Sequence, residues 1–149
     1  MPEPSTQATQ RRKLPIAIQN LREIREDGYY YVDKSGIAMD LIDNGKYYFL
    51  SRPRRFGKSL FLDTLKELFE GNQKLFTGLA AEKRWDWDVK HPVIWISFSD
   101  GVLQSRAELD VQILDLLRIN RLRLQLPIPE GLPEEHISAN FREIGRAHV

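Results

Sequence analysis

Residues 47–59 read Tyr47-Tyr48-Phe49-Leu50-Ser51-Arg52-Pro53-Arg54-Arg55-Phe56-Gly57-Lys58-Ser59, and this stretch decides the fold expected of the chain. It opens on an unbroken apolar run, Tyr47 to Leu50, of strand length. Unbroken rather than alternating apolarity is the pattern of strands covered on both faces, as in parallel sheets. A loop rich in arginine follows, and then Leu60, Phe61, Thr64, Leu65, Leu68 and Phe69 recur at helical spacing. Gly71-Asn72 closes that helix with residues suited to left-handed dihedrals.

The loop between the two elements carries the chemistry. The phosphate-binding loop has the form G-x-x-x-x-G-K-[ST]. Gly57, Lys58 and Ser59 match its second half, and Arg52 stands where the first glycine belongs. A strand before and a helix after are what the motif needs. A helix N-terminus exposes unbonded N–H groups and about half a positive charge, so it attracts anions. Gly57 would let the backbone approach phosphate, Lys58 would neutralise it, and Ser59 would offer its hydroxyl to Mg²⁺. Pro53 presets one dihedral, so the turn through Arg52-Pro53 is expected to be rigid. The same tripeptide also serves as an ordinary helix entry, with Ser59 near a cap and Lys58 solvated. The flanking elements favour the phosphate reading. Arg52, Arg54 and Arg55 could contact phosphates of a nucleotide or of nucleic acid, or form a solvated basic loop.

Outward from this stretch, Leu21 to Glu26 looks helical or turn-like, and Tyr29 to Val32 extended. Ile37 to Ile42 predicts a helix stopped by Asn44-Gly45. Leu75 to Leu79 suggests one further turn. Trp85 and Trp87 sit in a polar connector, and Val93 to Phe98 reads as a second strong strand after Pro92. Leu103 to Leu126 predicts a long amphipathic helix with Leu109, Ile113, Leu116, Leu117 and Leu124 on one face. The order strand, loop, helix, strand, helix predicts an α/β fold.

Composition narrows the class. The chain has 149 residues, about one domain, and 42% hydrophobic residues, enough for a core. Lys and Arg number 22 against 21 Asp and Glu, so charge gives no prior for nucleic acid or membrane. The chain contains no cysteine, which excludes disulfides and thiolate metal sites and suits a reducing, cytoplasmic setting. No apolar run is long enough for a transmembrane helix, and Met1 to Gln10 has no apolar stretch that could serve as a secretory signal.

Several separated segments together resemble the AAA-ATPase-like domain family of bacteria and archaea. They are Leu14-Pro15-Ile16-Ala17-Ile18-Gln19, Glu23 to Glu26 with Tyr29 to Lys34, Tyr47 to Ser59, and Pro92 to Phe98. Arg52-Pro53-Arg54-Arg55-Phe56-Gly57-Lys58-Ser59 looks like that family's own phosphate loop, in which arginine replaces the first glycine. The resemblance implies a P-loop NTPase core, a three-layer parallel sheet with flanking helices, and ATP with Mg²⁺ as ligands. Candidate nucleotide-binding residues are Arg54, Arg55, Phe56, Gly57, Lys58, Ser59 and Leu60, with Ser59 the candidate metal contact. In similar ATPases the region of Ile24 to Tyr31 approaches adenine, which makes a stacking tyrosine an option beside simple core packing. Family members often carry a restriction-nuclease-like C-terminal domain.

Hydrolysis needs an acidic residue at the end of a later strand. Asp100 comes too early, and Glu134-Glu135 follows a proline-rich linker. The expectation is therefore a truncated module that binds ATP but has no catalytic residue. It divides into a disordered lead 1–13, the ATPase-like part 14–126, a linker and start of the next element 127–143, and a non-native tail 144–149. An incomplete sheet would leave an apolar edge, so marginal stability or aggregation is expected. Competing readings are a nucleic-acid-binding module using Arg52, Arg54, Arg55 and the helix face of Arg118, Arg121 and Arg123, or a non-catalytic interaction domain. His91 and His136 are isolated, against a metal site.

Overall fold

The computed structural model describes residues 12–98, 104–127 and 136–146. Most of the expected disordered lead, Asp100, Glu134-Glu135 and residues 147–149 lie outside the described residues. The chain forms two compact units, Met1–His91 and Pro92–Val149.

The first unit is built from three helices and two 3-10 turns. Helix α1, Leu21–Glu26, starts where the Asn20 side chain accepts the Glu23 N–H at 3.1 Å. It stops at Gly28, whose φ of +71° turns the chain so that the Tyr29 N–H reaches the Ile24 carbonyl. Helix α2, Ser35–Asn44, starts after Asp33, whose carboxylate accepts from the backbone and the hydroxyl of Ser35. The same carboxylate accepts the Ala80 N–H at 2.7 Å, and the buried Ser35 hydroxyl accepts the Ala81 N–H. The Asp33–Ser35 pair thus fastens the start of α2 to the 3-10 turn Ala80–Lys83.

Helix α3, Lys58–Phe69, ends in a Schellman arrangement. The Gly71 N–H bonds the Leu68 carbonyl and the Asn72 N–H bonds the Glu67 carbonyl, with Gly71 at φ +72°. Helix α1 docks on α3 through polar contacts at buried positions. Asp63 accepts the Leu21 N–H at 2.7 Å. Glu67, 2% exposed, is held by Arg22, Lys66 and Asn72. A buried carboxylate is tolerated only when paired in this way. Burial pushes the Asp63 carboxyl up, against the Leu21 N–H and Lys66, which draw it down.

Between these helices lies the core: Leu21, Met39, Leu68, Phe76 and Ala81, with Trp87 tilted against Phe76 and Trp85 edge-on to Phe69. Each fully buried large side chain contributes about 1.5–3 kcal/mol. The 3-10 turn Gln73–Phe76 inserts Leu75 and Phe76 and is strapped from α1. Arg25 donates to the Leu75 carbonyl at 2.8 Å and to the Thr77 carbonyl at 2.6 Å.

In the second unit, α4 runs Arg106–Arg123, capped by the Ser105 hydroxyl accepting the Glu108 N–H. Helix α5, Ile137–Arg146, packs against α4 and buries Ile144. Within the run Val93 to Phe98, Asn120 of α4 bonds both the N–H and the carbonyl of Trp95.

Among the described residues there is no strand and no sheet, which overturns the expected α/β, three-layer parallel architecture. The reason is visible at each run expected to be a strand. Tyr29 to Val32 makes a single ladder-like bond, Tyr30 N–H to the Lys13 carbonyl. Tyr47 to Leu50 makes no backbone hydrogen bond to a neighbouring segment. Tyr47 and Phe49 are each 94% exposed, where a two-sided strand would bury both. Tyr48 turns back, its hydroxyl donating to the Leu41 carbonyl. At Trp95 a side chain takes the place of a neighbouring strand. The helices fall close to where periodicity puts them, with α4 shorter at its described ends than the predicted span 103–126.

Candidate functional site

The loop before α3 is shaped by two left-handed residues. Arg55 has φ +67° and Gly57, the N-cap of α3, has φ +74°. Glycine adopts this region at no steric cost, whereas arginine pays about 1–2 kcal/mol there. No side chain caps α3, so its first amides point outward without partners, and its first turn holds no acidic residue. Lys58 and Ser59 are its first two residues. The result is an open positive helix end, the arrangement that holds phosphate.

Lys58 is turned back into the loop. Its Nζ donates to the carbonyls of Arg52 at 2.7 Å and Pro53 at 2.8 Å. The turn through Arg52-Pro53 is therefore closed by the lysine, where the sequence suggested only the rigidity of Pro53. Ser59 is exposed.

A cavity of about 620 Å³ opens onto this helix end, with Lys58, Ser59 and the backbone of Gly57 on one side and Pro15 to Gln19 on the other. A second, of about 500 Å³, lies beside it, walled by Leu14, Tyr30, Val32, Phe56 and Phe61. Ala17, at φ +61°, lines the first cavity together with Arg55. Strained left-handed residues of this kind gather at functional sites, where the surrounding structure holds them.

Of the residues expected from the sequence, Gly57, Lys58, Ser59, Leu60 and Arg55 line the first cavity, and Phe56 lines the second. Arg54 is exposed and lines neither. The stacking option for the tyrosines divides by residue. Tyr31 points inward to Thr64 at 3.2 Å, while Tyr30 is 53% exposed on the second cavity. Pro15 to Gln19 and Lys34 line the cavities too, without having been singled out for it. The apolar segment with its proline was visible in the sequence, but nothing local ties it to a loop some forty residues away.

Among the described residues no group of three His, Asp or Glu side chains could hold a metal ion. Ser59 fits Mg²⁺ only as an ion already carried on phosphates. The basic helix face expected for nucleic acid is broken up: Arg121 is buried and Arg123 donates to the Val93 carbonyl. Among the described residues no helix is long and apolar enough to cross a membrane.

With this geometry in hand, comparison with known proteins places the chain. It belongs to the AAA-ATPase-like family, described as Predicted AAA-ATPase, whose pattern matches residues 15–148. It is therefore an ATPase-like module. It is also 59% identical over 115 residues to an uncharacterized protein from the vnfD 5′ region of Azotobacter chroococcum mcd 1. That alignment covers 76% of this chain and 22% of that protein, so the chain spans about a fifth of its relative. No solved structure matches.

Proposed function

We propose that the chain binds ATP, with Mg²⁺, at the N-terminus of α3. The observation that carries this reading is the Gly57 N-cap. It leaves the first amides of α3 bare beside Lys58 and Ser59, on the wall of the 620 Å³ cavity. The triphosphate lies against these amides. Lys58 exchanges the Arg52 and Pro53 carbonyls for phosphate oxygens, and Ser59 offers its hydroxyl to the magnesium on the phosphates. Family membership supports nucleotide use in general. In the intact protein this module acts within an ATP hydrolase.

Thermal stability with and without Mg-ATP, on the wild-type chain and on Lys58→Ala, tests the reading. At about 100 times its dissociation constant a ligand stabilises by roughly 2.7 kcal/mol. A shift in the wild type that disappears in Lys58→Ala supports phosphate binding at the loop. No shift in the folded wild-type protein defeats the proposal.

A further inference from the structure

We propose that α4 pairs with α4 of a second copy of this chain, antiparallel about a two-fold axis, through a stripe of Val111, Asp115, Arg118 and Leu122. One face of α4 is packed within its own unit, where Leu117, Asn120 and Arg121 are buried. The opposite face is open. Val111 is 60% exposed, Ile119 59% and Leu122 66%, with Asp115 and Arg118 exposed between them.

The four residues of the stripe fall at i, i+4, i+7 and i+11, the spacing of one continuous line along a helix and of the seam in a coiled coil. Aliphatic side chains gathered on one face, rather than scattered singly, mark an interaction surface. The charges inside the stripe are unused. Among the described residues neither Asp115 nor Arg118 has an ion-pair partner, whereas Arg106 and Asp110, on the same helix, pair with each other.

Charge complementarity names the occupant. Read in either direction, the stripe runs apolar, charged, oppositely charged, apolar, at steps of four, three and four. A two-fold axis crossing α4 between Asp115 and Arg118 therefore makes it complementary to itself. Val111 meets Leu122 of the second copy, and Asp115 meets Arg118 of the second copy, each pair occurring twice. Ile119, one turn from Asp115, adds apolar cover beside the charged pairs. A parallel pairing would set each charge against its own copy, like against like at both places, so the charges fix the antiparallel direction. The stripe is about 17 Å long, short for a standard interface, so the pairing is weak and depends on concentration.

The test is sedimentation equilibrium of the full chain, from about 10 μM to about 1 mM, on the wild type, Asp115→Arg, Arg118→Asp and the double variant carrying both changes. The wild type is expected to dimerise within that range. Each single variant sets like charges against each other twice and weakens association about tenfold or more. The double variant regains it, because exchanging both charges restores opposite pairs, and so does an equal mixture of the two single variants. Such recovery separates lost pairing from a damaged helix, which mixing would not repair. A wild type that stays monomeric throughout overturns the proposal, whatever else covers α4. Dimerisation unchanged in both single variants places the contact on another face and overturns it equally. A double variant as weak as the single ones overturns the antiparallel register.

Discussion

The side-chain amide of Asn120 bonds both backbone groups of Trp95: its Oδ1 accepts the Trp95 N–H at 2.7 Å and its Nδ2 donates to the Trp95 carbonyl at 2.7 Å. The same Nδ2 donates to the Leu116 carbonyl one turn back on α4. Only one orientation of the amide satisfies all three, because an oxygen turned toward two carbonyls would bond neither. Asn120 is 2% exposed, so these bonds are sheltered from water. Asn120→Ala leaves the two Trp95 groups without their partner at a cost of about 1–3 kcal/mol. Urea denaturation measures it. A loss below about 0.5 kcal/mol would mean that water replaces the amide without penalty.

The exposed run at Tyr47 to Leu50 gives a prediction opposite to that of a buried strand. Phe49→Ser removes a ring that is 94% exposed and is expected to change stability by less than about 0.5 kcal/mol. In a two-sided core strand the same change would cost about 3 kcal/mol or more. The thermal midpoint of the variant decides between them.

Gly57 and Gly71 share a left-handed conformation but differ in their surroundings. A Cβ on Gly57 would meet only the Lys34 Nζ, at an ordinary 3.9 Å. A Cβ on Gly71 would come within 2.9 Å of the Lys90 side chain. Gly57→Ala therefore costs the dihedral alone, about 1–2 kcal/mol. Gly71→Ala costs the same plus displacement of Lys90, which is flexible and can move. The expected order of stability is wild type, Gly57→Ala, Gly71→Ala, read from paired denaturation curves. Equal costs would show that Lys90 gives way freely.

Asp33 sets an acid limit on the first unit. Partial burial would raise its carboxyl, but bonds from the Ser35 hydroxyl and from the Ala80 and Ser35 N–H groups outweigh that and hold it below the ordinary 3.8. A depressed carboxylate contributes its stability in full above the unfolded value and loses it as pH falls through the folded one. The stability gap between wild type and Asp33→Asn is thus expected to be constant above about pH 5 and to narrow below it. A gap that widens on acidification would contradict the assignment.

The sequence made the helices legible because their evidence is local. Leu60 to Phe69 shows its period, and Gly71-Asn72 its stop, within a dozen residues. The helix entry at Gly57, Lys58 and Ser59, on which the phosphate-loop reading rests, was legible for the same reason. The sheet was misread because an apolar run reports that a segment is extended, not what lies beside it. At Trp95 the neighbour is Asn120, which the helical pattern would class as an unremarkable polar position. The second wall of the site was missed because Pro15 and Arg55 meet only through the packing of α1 on α3. Ile144, placed in a tail expected to be non-native, is buried in α5.

Arg25 touches the turn after α3 only through the carbonyls of Leu75 and Thr77. It is therefore blind to which side chains those residues carry and sensitive to how many residues separate them. It works as a gauge of chain length. Substitution at Thr77, whose side chain is exposed, leaves the gauge reading unchanged, whereas insertion of one residue between Leu75 and Thr77 changes the spacing of the two carbonyls that Arg25 spans.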